Sequence, residues 1–279
     1  MVGTRQRHHL PHTIAAFLSA NHYFYPMKFA RPFLLLLLLG TLALPGLAQQ
    51  NTAKEGLGIV LVKTHLGGYV PTGILAERFG PGATVGLDIS YKTTKGWMFT
   101  LSGSHMFGGP VRERDILSNI STEGGDIITQ TGVFEDYRLK QFGWLLYGRV
   151  GKIFPVIGPN PNSGLMIELG AGLMQHKIWI ETPVNNSPQL STEYKRGYDR
   201  LSNGLSLNPF IGYQHLSNNK LINYYVGLDV HIGMTENRRT INYDTGLRDD
   251  RQRTDLMIGI KAGWILPLYK RAEKAMLFY

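Results

Sequence analysis

Two long segments near the C-terminus alternate between apolar and polar positions. In the segment 221–234 every second residue is apolar: Ile222, Tyr224, Val226, Leu228, Val230, Ile232 and Met234. The segment 255–269 repeats the pattern with Leu256, Ile258, Ile260, Ala262, Trp264, Leu266 and Leu268. A period of two predicts β-strands with one apolar and one polar face. Charge and glycine on the polar face, with aromatic residues at the ends of the apolar face, are typical of transmembrane β-barrel strands.

The same pattern predicts strands at 57–66, 83–92, 96–107, 137–154, 165–181, 204–217, 221–234 and 254–269. The segment 137–154 is ambiguous, because Lys140 to Gly143 could be a turn that raises the count to nine. Bacterial barrels have even strand numbers, short periplasmic turns and long extracellular loops. With eight strands, the long polar connections all lie on one side, at 67–82, 108–136, 182–203 and 235–253. We therefore expect an all-β, eight-stranded antiparallel up-and-down transmembrane barrel, in which 137–154 is one strand bulged near Gly143.

Residue parity assigns each strand position to the lipid or to the lumen. The positions expected to face lipid include Val85, Leu87, Ile89, Tyr91, Trp97, Phe99, Leu101, Trp144, Leu146, Val150, Leu165, Ile167, Leu169, Ala171, Leu173, Leu205, Leu207, Ile211 and Tyr213. An eight-stranded barrel is just wide enough inside to be filled by side chains. We expect a lumen charge network of Asp88, Lys92, Arg149, Glu168, Asp229, His231 and Lys261, with Asn208 and Gln214 beside it. Because an unpaired buried ion is costly, Asp229 should pair with Lys261, and Arg149 with Glu168.

A secretory signal is predicted near the N-terminus. Lys28 and Arg31 precede an apolar run, and small residues precede a cleavage site after Ala48. The signal peptide would span 27–48, residues 1–26 would be an upstream extension, and the barrel would occupy 49–279. Localisation to the outer membrane of a Gram-negative bacterium follows as an expectation.

Composition narrows the possible partners. The chain has 29 lysines and arginines, 20 acidic residues and no cysteine. Four of the basic residues lie before the cleavage site, so the exported part is only mildly basic, and we expect no nucleic-acid binding. The absence of cysteine excludes disulfides and a lipid-anchoring cysteine. The histidines show no metal-ligand spacing, so no metal or other cofactor is expected.

One short motif suggests catalysis. His215 and Ser217 end a strand and Asp229 follows, which resembles the Ser, His and acidic triad of the outer-membrane lipid A deacylases. By that resemblance Ser217 would be the nucleophile, His215 the base and Asp229 the orienting carboxylate. Parity opposes this arrangement, because His215 and Ser217 face outward and Asp229 faces the lumen. The predicted topology also puts Ser217 at the periplasmic end, and that family uses Glu rather than Asp.

The long connections mix tyrosine with basic residues, as interaction surfaces do. The candidate loop interaction residues are Tyr194, Lys195, Arg196, Tyr198, Arg200, Arg238 and Arg239. Arginines of this kind could hold lipopolysaccharide phosphates or an acidic partner; the alternative is an ordinary solvated loop.

Five segments resemble a largely uncharacterised family of Bacteroidetes-type outer-membrane β-barrel proteins. They are Ala76 to Gly80, Gly151 to Gly164, Gln175 to Ile178, Glu193 to Leu201 and Gly263 to Tyr269. The resemblance covers nearly all of the exported chain and implies an exported barrel, but it carries over no catalytic residues. It also implies an accessory role in type 9 secretion or outer-membrane assembly, as for some small barrels of those bacteria.

The sequence thus favours a structural or interaction protein whose extracellular loops contact outer-membrane lipid, lipopolysaccharide or an outer-membrane protein complex. Two alternatives stay open: a lipid A deacylase-like hydrolase using His215 and Ser217, and a narrow small-solute channel.

Overall fold

The computed structural model describes residues 56–182, 187–218 and 221–268. The expected upstream extension at 1–26 and the signal peptide at 27–48 lie outside the described residues.

The strands are β1 (Ile59–Gly73), β2 (Gly82–Lys92), β3 (Trp97–Pro110), β4 (Ile127–Ile128), β5 (Phe134–Glu135), β6 (Arg138–Phe154), β7 (Gly164–Glu181), β8 (Ser202–Leu216), β9 (Asn223–Asn237) and β10 (Arg253–Leu268). Eight of them are long and close into an antiparallel barrel in the order β1–β10–β9–β8–β7–β6–β3–β2, in which β1 pairs with both β10 and β2. A separate two-stranded hairpin, β4–β5, lies in the connection between β3 and β6. The predicted eight-stranded barrel is confirmed, with β6 as one strand.

The outer face of the barrel wall is apolar, and the charged and polar residues of the strands face inward together with some apolar ones. Along β3, Leu101 is 66% exposed while its neighbour Ser102 is 1% exposed. The same alternation runs along the other strands, and every position expected to face lipid is exposed or half-buried. A soluble protein would bury such a surface, so an apolar exterior around a closed barrel with a polar interior is that of a protein embedded in a bilayer.

Two details of the strands differ from the sequence prediction. β1 does not end at Leu66 but continues to Gly73, paired on both edges for most of its length, so the first half of the predicted connection 67–82 is strand. A Cβ on Gly67 would lie 2.7 Å from Thr84 Oγ1, so glycine there allows close strand approach rather than marking a turn. The expected bulge near Gly143 is wrong: pairing is regular there, and the register shifts between Gly108 and Pro110 instead.

The two ends of the barrel differ. At the short-turn end lie the connections 93–96 and 155–163 and the described parts of the next connection, 217–218 and 221–222, together with the start of β1 and the end of β10. At the long-loop end lie the connections 74–81, 111–137, 187–201 and 238–252. They carry helices α1 (Ile74–Arg78) and α2 (Thr192–Tyr198) and 3-10 turns at Asp115–Leu117 and Pro188–Leu190. In the described part of the chain, no helix has the length and apolar character needed to cross a membrane.

Side chains fill the lumen in layers. One apolar cluster closes the short-turn end: Ile59, Leu61, Met98, Ile153, Met166, Phe210, Leu216, Tyr225 and Ile265. A second apolar cluster extends from the part of the lumen near the long-loop end into the loops. It includes Phe79, Met106, Leu145, Met174, Ile178, Leu190, Tyr198 and Met257. Charged side chains lie between these clusters. The expectation of a filled lumen is therefore confirmed.

Candidate functional site

A layer of buried ions occupies the middle of the lumen, where inward positions of six strands meet. Lys261 Nζ lies 2.5 Å from Asp229 Oδ2. Arg149 Nη1 lies 3.7 Å from Asp88 Oδ2 and 3.8 Å from Glu168 Oε2. The structure therefore brings together both of the charge pairs that parity suggested.

Tyrosine, threonine, asparagine and histidine side chains complete the layer. Tyr225 donates to Asp88 at 2.9 Å, and Thr100 donates to Glu168 at 2.8 Å. Asn208 Nδ2 donates to Asp229 Oδ1 at 2.7 Å. His231 Nε2 lies 3.3 Å from Asp229 Oδ2. Such contacts offset part of the cost of removing the carboxylates from water. Within the described part of the chain, Asp88 Oδ1, Arg149 Nε and Asn208 Oδ1 are buried without a hydrogen-bond partner, so the layer is a polar plug that is only partly satisfied.

The charge layer also contains residues that sequence reasoning missed. Lys63 is 1% exposed, and its ammonium lies 5.2 Å from the centre of the Tyr225 ring. His65 lies beside it and contacts Ser104 Oγ at 2.9 Å. The run Ile59 to Val62 is apolar at four consecutive positions, so the alternation of polar and apolar residues does not show which face of β1 is turned to the lumen. With Lys63, the layer holds three basic side chains (Lys63, Arg149 and Lys261) and three acidic ones (Asp88, Glu168 and Asp229), and Lys63 Nζ also lies 3.9 Å from Met166 Sδ.

Lys92 does not join this layer. Although buried, it lies at the short-turn end, where Nζ donates to Asn162 Oδ1 at 2.9 Å and to the carbonyl of Leu57 at 3.3 Å. Asn162 belongs to the connection 155–163, which folds against the mouth of the barrel. The expected place of Lys92 in the charge network is therefore wrong, because Lys92 is the last residue of β2 and lies at the mouth of the barrel. Gln214, expected beside the charge network, is also buried near the short-turn end, where its Nε2 contacts the Asn162 carbonyl at 3.4 Å.

The three residues of the alternative hydrolase do not come together. The His215 ring lies on the outer face, stacked on Tyr224 with ring centres 5.1 Å apart. Asp229 lies inside the barrel on β9. It is in register with Phe210, which precedes His215 by five residues on β8. The barrel wall separates the base from the acid, as parity indicates. No triad geometry supports hydrolysis here.

Several of the candidate loop residues contact other parts of the loops, and two of them, Tyr198 and Arg200, are buried. Arg200, which adopts a left-handed φ of 52°, is buried and donates to Glu113 at 3.0 Å and to Asp244 at 2.6 Å. Arg78 of α1 reaches the other oxygen of Glu113 at 2.9 Å. These contacts join the four connections at the long-loop end, since each of the four residues belongs to a different one and Glu113 contacts both arginines. We call this group of ion pairs the loop clamp: Arg78, Glu113, Arg200 and Asp244.

A second set of contacts fixes the start of the 238–252 connection. Arg239 donates to both oxygens of Asp199, at 2.8 and 2.6 Å. This hydrogen bonding raises the pKa of Arg239, with the Asp199 charge adding to it against partial burial. Arg238 contacts Glu236 and Asn203. Tyr198 is buried and packs edge-on against Tyr243, with ring centres 5.6 Å apart.

Three candidates keep a more open position on α2. Tyr194 is 54% exposed, Arg196 is exposed, and Lys195 is half-buried with Nζ 2.7 Å from Thr182 Oγ1. Burial lowers the pKa of Lys195, against the attraction of Glu135. Tyr198 and Arg200 were also expected to be accessible, and that expectation is wrong. Packing against Tyr243 buries Tyr198, and ion pairs with Glu113 and Asp244 hold Arg200 inside the loops.

The sequence missed another exposed feature of the loops, their apolar side chains. The β4–β5 hairpin exposes Ile128, Val133 (62%) and Phe134 (65%). The 238–252 connection exposes Ile241, Tyr243 and Leu247, and Tyr243 contacts Tyr194 with ring centres 6.1 Å apart. Gln189 Nε2 donates to the Ile128 carbonyl, which ties the hairpin to the segment before α2. We call this set the apolar loop surface: Ile128, Val133, Phe134, Tyr194, Ile241, Tyr243 and Leu247.

A cavity of about 510 Å³ opens at the long-loop end, lined by Ile74, Glu77, Arg78, Glu113, Arg251, Gln252 and Arg253. Its arginines are matched by Glu113 and by Asp249, which accepts from Arg251 at 3.1 Å. The lining is therefore close to neutral and favours no charged ligand. Within the residues that the structure describes, no group of three or more His, Asp or Glu side chains could hold a metal ion.

No protein-family profile matches the chain, and no curated protein matches it. Among solved structures the chain is similar to Ail, the attachment invasion locus protein of Yersinia pestis, at 9% identity and a TM-score of 0.36, over 76% of this chain and 99% of that one. It is also similar to Neisserial surface protein A, at 12% identity and a TM-score of 0.34, over 74% of this chain and 96% of that one. Similarity of this degree carries no argument about function.

Proposed function

We propose that this protein is an integral outer-membrane β-barrel that acts as an interaction protein through the loops at its long-loop end. The observation that carries the proposal is the apolar loop surface, held in place by the loop clamp at the top of a filled barrel. Phe134 and Leu247 are each at least 65% exposed, although they lie on ordered connections outside the apolar belt. Exposed apolar groups on a fixed support are typical of protein-binding sites.

The partner is a protein of the same membrane, in an assembly that serves secretion or outer-membrane construction in a Bacteroidetes-type bacterium. The arginines do not carry this proposal, since Arg200, Arg238 and Arg239 are bound to polar or acidic groups of the chain itself. Among the apolar side chains, Val133, Phe134 and Leu247 are each more than 60% exposed. Burying them against a partner would gain about 25 cal/mol for each Å² removed from water.

The test is co-purification from native outer membrane with a paired control. The variant Val133→Ser/Phe134→Ser removes two neighbouring apolar groups from the hairpin. Its control, Val156→Ser/Ile157→Ser, removes two apolar groups that are each 71% exposed at the short-turn end. We expect a defined set of membrane proteins to co-purify with the wild type and the control and to be lost from the hairpin variant.

The opposite results would refute the proposal. If the hairpin variant retained every co-purifying protein, the loops would not be the binding surface. If the control lost them instead, the partner would bind at the short-turn end. If the co-purifying proteins belonged to no secretion or assembly system, the proposed accessory role would be refuted, whereas binding through the loops would still stand.

A further inference from the structure

Two lysines lie over aromatic rings on the outer face of the barrel, near opposite ends of β6 and its neighbours. Lys152 Nζ lies 5.7 Å from the Trp97 ring centre and 5.6 Å from that of Phe154. Lys177 Nζ lies 5.6 Å from the Phe142 ring centre and 5.2 Å from that of Trp179. Each lysine thus keeps its charge beside exposed aromatic side chains, as residues at a membrane–water interface do.

The spacing of these two levels matches the thickness of an outer membrane. Phe142 pairs with Lys177 on β7, and Trp97 on β3 pairs with Lys152. Along β6, Phe142 and Lys152 are about ten residues apart, or about 33 Å at the usual rise per residue. Strands tilted by about 35–45° convert this length to about 25 Å, the height of the apolar band of such barrels.

The outward aromatic groups at the long-loop end lie on one side of the barrel, on β3, β6 and β7. His105, Phe142 and Trp144 contact one another, and Phe142 also stacks on Trp179 with ring centres 5.6 Å apart. Trp144 and Trp179 are 48% and 46% exposed. Such a one-sided cluster indicates contact with a particular molecule rather than with the bilayer in general.

Basic residues stand directly beyond these rings. Lys140 is in register with Trp179, and Arg138 follows at the next outward position of β6, in register with Glu181. Glu181 contacts Lys140 at 2.5 Å. Asp199 lies 3.9 Å from Lys177 but is already held by two hydrogen bonds from Arg239. On this outer face of β6 and β7, the three basic groups Arg138, Lys140 and Lys177 therefore face one carboxylate of the same strands, Glu181.

We propose that Lys140 and Lys177, with Phe142, Trp144 and Trp179, form a binding site for the phosphate of a lipid headgroup in the leaflet at the long-loop end. The two ammonium groups would contact the phosphate oxygens, while the rings pack against the apolar part of the same lipid. The excess of positive charge selects an anionic lipid over a zwitterionic one. This inference rests on the membrane placement in the proposed function and adds to it the chemical class of a lipid ligand.

The test measures quenching of tryptophan fluorescence by brominated lipid. Full-length protein with Trp97→Phe and Trp264→Phe retains Trp144 and Trp179 as its reporters, since the chain has four tryptophans. It is reconstituted in phosphatidylcholine vesicles that contain either brominated phosphatidylglycerol or brominated phosphatidylcholine at the same mole fraction. We expect phosphatidylglycerol to quench more strongly, and high salt to weaken the difference.

Lysine variants decide whether the site causes that selectivity. Lys140→Gln and Lys177→Gln should each lower it by about fivefold, the usual effect of one basic residue beside an anionic lipid surface. Lys152→Gln is the matched control at the opposite end and should leave it unchanged.

The proposed lipid site is refuted if both lipids quench equally in the protein with unchanged lysines. It is also refuted if the double variant Lys140→Gln/Lys177→Gln keeps the full preference for phosphatidylglycerol. Loss of the preference on addition of inorganic phosphate would indicate a free-anion site and also overturn it. Absence of quenching by either lipid would overturn the membrane placement itself.

Discussion

At the scale of single residues, the Asp229–Lys261 pair is the sharpest test of the buried charge layer. Both side chains are almost fully buried, and Asn208 donates to the same carboxylate. Lys261→Met keeps the length of the side chain but leaves a carboxylate without its ammonium. We expect it to lower the free energy of unfolding by about 3 kcal/mol, measured by urea unfolding in lipid vesicles.

The matched control is the double variant Asp229→Asn/Lys261→Met, which restores the balance of charge in the layer. It should recover most of the stability, because removing both partners of a buried pair costs less than removing one. A double variant as unstable as the single one would show that the pair is not coupled. That result would contradict the assignment of these two residues to one ion pair.

The residue scale also shows how far the sequence predicts the site. Parity placed Asp229 and Lys261 together, because the lumen and lipid faces of a strand alternate regularly. It missed Lys63, whose strand begins with four apolar residues in succession. It also assigned Arg200 and Tyr198 to an open surface, because the ion pairs and ring contacts that bury them come from connections distant in sequence. Local patterns carry no information about such contacts.

At the scale of elements, long strands were predicted well and short elements were not. A period of two repeated over some 15 residues is a strong signal, whereas the five residues of α1 and the two-residue strands of β4–β5 are too short to show any period. Residues 67–73 were expected in a connection. They belong to β1 because β10 pairs with this strand as far as Gly73 and β2 pairs with it as far as Tyr69, which is a tertiary effect.

The 238–252 connection should respond to acid through Asp249. This carboxyl contacts Arg251 at 3.1 Å and also contacts Arg253. Partial burial would raise its pKa, but the hydrogen bond from Arg251 and the two positive charges outweigh burial and lower it. A lowered pKa in the folded state means that the contribution to stability is present above the unfolded value of about 4 and is lost as the pH falls through the folded value.

Hydrogen exchange in the 238–252 connection checks this expectation. At neutral pH, the backbone amides of this connection should exchange faster in Asp249→Asn than in the wild type. The asparagine side chain lacks the negative charge that holds Arg251 and Arg253. The difference should shrink as the pH falls below about 4, where the wild-type carboxyl becomes neutral too. A difference that stayed constant across this range would show that the charge of Asp249 does not fix the connection. Asp250→Asn, an exposed neighbour, serves as the control and should exchange like the wild type.

At the scale of the whole molecule, the apolar belt and the loops are two different environments for the same kind of side chain. Leu101 is 66% exposed in the middle of β3, halfway between the two levels of aromatic residues. Leu247 is 68% exposed in the 238–252 connection. In water the two leucines would be equivalent. In a bilayer only Leu101 contacts hydrocarbon, so substitutions at these two positions report where the membrane lies.

Leu101→Arg should therefore destabilise the folded protein by about 2–4 kcal/mol, the usual cost of a basic side chain at the bilayer midplane of a barrel. Leu247→Arg should change stability by no more than about 0.5 kcal/mol, as expected for an exposed site. Reversible unfolding from phospholipid vesicles measures both values under the same conditions. Because the substitution and the initial exposure are matched, the difference isolates the solvent around each residue. Equal costs would mean that β3 does not face lipid at Leu101, and both the membrane placement and the lipid site on the same belt would have to be abandoned.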